Sequence, residues 1–120
     1  MKGYYSIINS STDGLSGTFF VLLNPECEVY KGHFPGTPVS PGVCNIQMML
    51  ECAETVAGQA LWVRKINRCR FTTLLSPLTH PELEIQINLQ EKEDNSFILN
   101  ASIGNGEDIY QTLKAELIRI

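Results

Sequence analysis

Four prolines and three glycines fall between residues 24 and 42: Pro25, Gly32, Pro35, Gly36, Pro38, Pro41 and Gly42. Proline lacks the amide donor that helix interiors and central strands need, and glycine costs either element conformational entropy. A segment punctuated this densely forms neither, so the chain must carry a long irregular stretch there. Such stretches in compact chains are usually functional. The pattern then changes abruptly. From Val43 to about Trp62, residues Ile46, Met49, Leu50, Ala53, Val56, Ala57, Ala60 and Leu61 recur at three- and four-residue steps. That spacing predicts one apolar face of a helix of about five turns. Asn45, Gln47, Glu51, Glu54 and Gln59 interrupt the run and are expected mostly on its other faces. Gln47 and Glu51 lie four apart and share one stripe. Gly58, inside the run, is expected to weaken the helix.

The remainder reads as strands. Tyr4 to Asn9 holds aromatic and β-branched residues, Ser10 to Gly14 is a turn cluster, and Leu15 to Leu23 is again strand-like, which together make a hairpin. After the helix, Val63 to Leu75 alternates imperfectly. Leu83, Ile85, Ile87 and Leu89 alternate cleanly with Glu84, Gln86 and Asn88, and Phe97, Leu99, Ala101 and Ile103 do the same. Glu91 to Ser96 is the polar turn between these two strands, Asn105-Gly106 marks another turn, and Ile109 to Ile120 closes the chain with Leu113, Ala115 and Leu117 on one face. Two strands, one long helix and four more strands make an α+β chain, an antiparallel sheet covering one helix.

Size and charge narrow the classes. A length of 120 residues suits one domain over 1–120, and a domain this small buries a modest fraction of its surface, which favours a partner chain. A net charge of −4 argues against nucleic acid as a partner. No run of 18 apolar residues is present, so no membrane span is expected. The first residues carry no apolar core of signal-peptide length, which points to the cytoplasm. Cys27, Cys44, Cys52 and Cys69 form no CxxC pair and are expected as reduced thiols in or near the core rather than as metal ligands.

Within the irregular segment, Gly32 to Gly42 reads GHFPGTPVSPG, preceded by NPECEVYK over Asn24 to Lys31 and followed by Arg70-Phe71 and Pro77. This arrangement resembles the 3-hydroxyacyl-acyl-carrier-protein dehydratases of the hot-dog class. The likeness covers roughly residues 15 to 90. It implies the hot-dog fold, an antiparallel sheet wrapped around one long central helix. It also implies dehydration of a 3-hydroxyacyl thioester to the trans-2-enoyl product in fatty-acid or polyketide-like synthesis. In that family a base removes the C2 proton, an acid protonates the departing C3 hydroxyl, and donors meet the charge on the thioester oxygen.

By resemblance, His33 matches the base, a role suited to an imidazole whose pKa lies near the working pH. Gly42, nine positions on (42 − 33 = 9), matches the residue whose N–H meets the thioester oxygen, at a predicted helix N-terminus where free N–H groups gather. Phe34 and Val43 would contact substrate, and with Ile46, Met49 and Ala53 are candidates to line an acyl tunnel. Gln47 departs from the family, which places Glu or Asp there, fourteen after the histidine (47 − 33 = 14). An amide orients a hydroxyl but cannot deliver a proton as a carboxylic acid does. Where the family often has Gln, four residues on, this chain has Glu51, as if the two types were exchanged across a turn.

Three readings stand side by side. Glu51 supplies the acid from about 6 Å further along the helix. Alternatively, the chain is a weak or non-catalytic homologue that binds acyl chains or supports an active partner. In the third reading, His33 works with an ordered water. An acyl thioesterase using Glu51 or Glu54 is a further alternative. The resemblance also implies acyl-carrier protein as a partner; the basic set Arg64, Lys65, Arg68 and Arg70 reads either as a charge-complementary contact for such an acidic carrier or as a solvated strand face. It implies pairing as a homodimer or as a heterodimer with another hot-dog chain, His33 of one chain facing position 47 of the other. No metal and no diffusible cofactor is implied, since the phosphopantetheine belongs to the carrier.

Overall fold

The computed structural model describes residues 3–31 and 38–120. Strands β1 (Tyr5–Asp13) and β2 (Ser16–Leu23) are followed by a 3₁₀ turn (Glu28–Tyr30) and then by helix α1 (Gly42–Ala57). Strands β3 (Leu61–Phe71), β4 (Glu82–Glu91), β5 (Phe97–Gly104) and β6 (Ile109–Arg119) complete the chain. The strands form one sheet in the order β1-β2-β4-β5-β6-β3, and every neighbouring pair is antiparallel. Helix α1 lies against β4, β2 and β5.

The period-2 pattern places the core. Leu83, Ile85, Ile87 and Leu89 of β4 point inward with Phe97, Leu99, Ala101 and Ile103 of β5 and Leu113, Ala115 and Leu117 of β6. They meet a helix stripe of Cys44, Asn45, Met48, Met49, Cys52 and Ala53. Full burial of a Leu- or Met-sized side chain is worth roughly 1.5–3 kcal/mol, so these interdigitated faces dominate the stabilisation. None of the four cysteines is in a disulfide, and Cys27, Cys44 and Cys52 are buried; burial pushes the Cys52 thiol up to about 12.

Three element borders differ from the sequence expectation, and the simplest is β3, which ends at Phe71 rather than at Leu75. The first hairpin turns at Gly14 (φ 60), because β1 runs on through Ser10, Ser11 and Thr12, which pair with Phe19, Thr18 and Gly17. β1 is an edge strand, and its polar residues face solvent while their backbone groups pair with β2. The helix stops at Ala57 rather than continuing to Trp62. Gly58 takes the left-handed conformation (φ 72) and its N–H bonds the Glu54 carbonyl at 2.9 Å. Gly58 is thus the stop signal of α1, and Leu61 already belongs to β3.

At the other edge of the sheet, β3 pairs with β6 alone among the described residues. Trp62, Val63, Ile66 and Phe71 are exposed along it, Trp62 by 63%.

Candidate functional site

Helix α1 starts without a side-chain cap. Pro41 occupies the N-cap with extended geometry (φ −63, ψ 138), and its carbonyl accepts the N–H groups of Cys44 and Asn45 at 3.0 and 3.1 Å. Proline suits this border because it cannot continue a helix backwards and needs no donor. The N–H groups of Gly42 and Val43 meet no acceptor among the described residues, as the first amides of an uncapped helix do not. They stand at the positive end of the helix dipole. A Cβ on Gly42 would lie 2.6 Å from Cζ of Phe71, so the glycine lets the ring from the end of β3 close over the first turn. Val43 next to it is 73% exposed.

Two tethers hold this turn. Upstream, the Ser40 N–H bonds the Leu75 carbonyl at 2.7 Å, and the Ser40 hydroxyl lies 3.0 Å from that of Tyr30. Beneath the turn is a buried polar chain. The Tyr4 hydroxyl donates to Asn45 Oδ1 at 2.7 Å, Asn45 Nδ2 donates to Gln111 Oε1 at 3.1 Å, and Gln111 Nε2 reaches Cys69 Sγ at 3.6 Å. Every member is satisfied, which makes the chain a specific joint rather than a defect. Burial drives the Tyr4 hydroxyl well above the usual tyrosine range.

One turn further along α1, Gln47 is exposed and its Nε2 donates to Glu51 Oε2 at 3.2 Å. Glu51 Oε1 accepts the Tyr5 hydroxyl at 2.7 Å. Burial, and then this bond to Glu51, raises the Tyr5 hydroxyl above its ordinary value. Glu54 is engaged elsewhere, its Oε2 accepting the Leu61 N–H at 2.9 Å.

The structure therefore brings Gly42, Val43, Gln47 and Glu51 onto the first three turns of one helix. His33 and Phe34 lie outside the described residues. Met49 and Ala53, offered as tunnel lining, are fully buried core, while Ile46 is half-buried. Of the basic set, Arg64 is tied to Asp94 and Glu116 at 3.5 and 3.3 Å. Arg68 and Arg70 instead join Lys114 in a trough of about 650 Å³ whose lining includes no acidic residue. His80 packs edge-on against Tyr110, with centroids 5.1 Å apart.

Three contributors escape a reading of the sequence. Asn45 is buried, not on an outer face as expected. The signal was there, because positions 45, 48, 49, 52 and 53 keep helical spacing with one polar member. Tyr5 and Phe71 reach α1 from strands, contacts that no local pattern encodes.

A six-stranded antiparallel sheet around one helix, with a glycine-started first turn after a proline-rich segment, defines a hot-dog protein of the dehydratase type. Residues 9–109 match the profile of the ApeI-like family, described as ApeI dehydratase, and the chain belongs to that family. The 3-hydroxyacyl-acyl-carrier-protein dehydratase FabZ of Pediococcus pentosaceus is 31% identical over 75 residues, 57% of this chain and 49% of the relative. FabZ of Levilactobacillus brevis is 27% identical over 99 residues, 77% of this chain and 66% of the relative. The chain thus spans about half to two thirds of the length of these curated relatives. Among solved structures, the dehydratase heterocomplex ApeI:P from Xenorhabdus doucetiae superposes with a TM-score of 0.77 at 21% identity, covering 99% of this chain and 100% of that one. An uncharacterized protein from Erwinia carotovora gives 0.65 at 20% identity, with 97% of each chain covered. At those identities the likeness speaks for the fold.

Proposed function

We propose that the chain handles 3-hydroxyacyl groups carried on acyl-carrier protein and dehydrates them to the trans-2-enoyl thioester. The observation that carries this reading is the amide pair at Gly42 and Val43, without an acceptor among the described residues and set beneath Phe71 in a chain of a dehydratase family. Donors fixed in advance at a helix N-terminus suit the charge that develops on a thioester oxygen. His33 removes the C2 proton, the C2–H pair becomes the C2=C3 bond, and the C3–O bond breaks. The leaving hydroxyl takes back a proton from the His33 imidazolium through a water held by the Gln47 amide, and departs as water. This elimination uses no metal and no diffusible cofactor, and the phosphopantetheine arrives on the carrier. Arg68, Arg70 and Lys114 offer an acidic carrier a cationic face.

In the thioesterase alternative a helix carboxylate activates water, and Glu51 or Glu54 would do so while also accepting the bonds from Tyr5 and Gln47 or from the Leu61 N–H.

A second reading, a subunit that works only beside another hot-dog chain in the cytoplasm, draws on β3. An 11-residue edge strand with no neighbour on its outer side among the described residues, and with Trp62, Val63, Ile66 and Phe71 exposed, is a surface that another strand can cover. The heterocomplex formed by the Xenorhabdus doucetiae dehydratase supports such a partner.

The test is mass-spectrometric detection of water loss from a 3-hydroxyacyl carrier protein, with wild type beside His33→Ala and Gln47→Glu. Turnover by wild type that vanishes in His33→Ala is expected. A silent wild type that gains turnover in Gln47→Glu would replace catalysis with the subunit reading. Turnover unaffected by His33→Ala would remove the role given to that histidine.

A further inference from the structure

We propose that Tyr5 is a positioning residue for Gln47, acting through Glu51, an inference that rests on the dehydratase reading for its catalytic consequence. A carboxylate only accepts hydrogen bonds, and each oxygen of Glu51 faces a donor: the Tyr5 hydroxyl at 2.7 Å and Gln47 Nε2 at 3.2 Å. Glu51 is therefore placed as an anchor, accepting from β1 on one oxygen and from Gln47 on the other. Its acceptor-only character also settles which end of the Gln47 carboxamide faces it. The nitrogen must point toward Glu51, so Oε1 and the second N–H point away, with no partner among the described residues, where they can meet a hydroxyl or a water.

The anchor is firm because its outer end is not on the helix. Tyr5 reaches Glu51 from β1, 46 residues away in sequence. Its ring is half-buried and stands edge-on to Tyr4 at 6.5 Å, and Tyr4 is itself bonded to Asn45. Gln47 alone is an exposed side chain with several rotamers. Held by Glu51, and Glu51 by Tyr5, it presents one orientation, which is what positioning contributes to a reaction.

The experiment reads the amide directly. In a ¹H–¹⁵N spectrum of the whole protein, the side-chain amide pair of Gln47 is assigned by its disappearance in Gln47→Glu. In Tyr5→Phe the two proton shifts should converge toward those of a solvated glutamine. In the dehydration assay kcat should fall about five- to twenty-fold with KM changed less than about two-fold, the pattern of an interaction made in the transition state. Glu51→Gln, which keeps the side chain's shape at a half-buried position and removes its charge, should give the same amide convergence and serves if Tyr5→Phe does not fold. An unchanged Gln47 amide in both variants overturns the proposal whatever the activity. Convergence with unchanged kcat in an active enzyme also overturns it. Convergence in a protein whose wild type shows no dehydration keeps the anchoring geometry and removes the dehydratase reading instead.

Discussion

Replacing Asn45 by alanine tests whether the buried polar joint fixes the start of α1. The substitution removes the acceptor of the Tyr4 hydroxyl and the donor to Gln111 Oε1, on residues that are 0% and 1% exposed. A buried polar group left without its partner costs about 1–3 kcal/mol. Tyr4 has the Ser40 and Tyr30 hydroxyls beside it, so its share belongs at the low end of that range. The sum is about 2–4 kcal/mol. For a domain of this size that corresponds to a Tm lowered by about 8–16 °C. Urea unfolding with an unchanged m-value is the assay. A double-mutant cycle with Tyr4→Phe isolates the pair, and a coupling of about 1 kcal/mol is expected. A loss below about 0.5 kcal/mol for Asn45→Ala, or additivity with Tyr4→Phe within about 0.3 kcal/mol, would refute the joint.

Gly42→Ala should separate stability from activity. The methyl pushes only on the half-exposed Phe71 ring, which swings out, so the unfolding free energy changes by less than about 1 kcal/mol while turnover falls about ten-fold or more. Gly58→Ala meets no atom within 4 Å, so its cost is the left-handed backbone alone, about 1–2 kcal/mol by thermal unfolding. Asp94 is held down at about 2, against an ordinary 3.8, by the hydroxyl and N–H of Ser96 and by Arg64. Its folded pKa is depressed, so its contribution is present above about pH 4 and fades as pH falls toward 2. Asp94→Asn should flatten urea midpoints across that window and leave those at neutral pH parallel to wild type. If a partner strand pairs on β3, Trp62→Lys with Ile66→Lys should reduce the light-scattering mass to the 13.4 kDa chain while the far-ultraviolet spectrum stays unchanged.

What was legible in the sequence follows from what is local. Leu83–Leu89 and Phe97–Ile103 alternate over lengths that admit one interpretation, and both lie within the strands they indicate. The dense breakers before Val43 placed the helix start within one residue. The helix end was misread because apolar spacing continues through Ala60 and Leu61, whereas the backbone obeys Gly58, whose conformation outweighs periodicity. β1 was cut short because Ser10 to Thr12 look like a turn, yet an edge strand tolerates polar residues whose backbone groups have partners. Within the candidate site, Gly42 and Gln47 were visible through motif spacing. Tyr5, Asn45 and Phe71 were not, since each acts across a gap of dozens of residues that only the folded chain closes.

The neighbours Tyr4 and Tyr5 have a consequence for how the first strand finds its alignment. Most of β1 is exposed, and a bulge interrupts its pairing between Ile7 and Asn9. A strand without a buried face has little to penalise a one-residue slip. The two tyrosines supply that penalty. One hydroxyl reaches Asn45 and the next reaches Glu51, six residues and about 9 Å further along the helix, on different sides of it. A slip by one residue would bring Gly3 to Asn45 in one direction or Ser6 to Glu51 in the other, so that one of the two hydroxyl bonds is lost either way. Two consecutive side chains thus act as a two-pin key that only one alignment of β1 can turn.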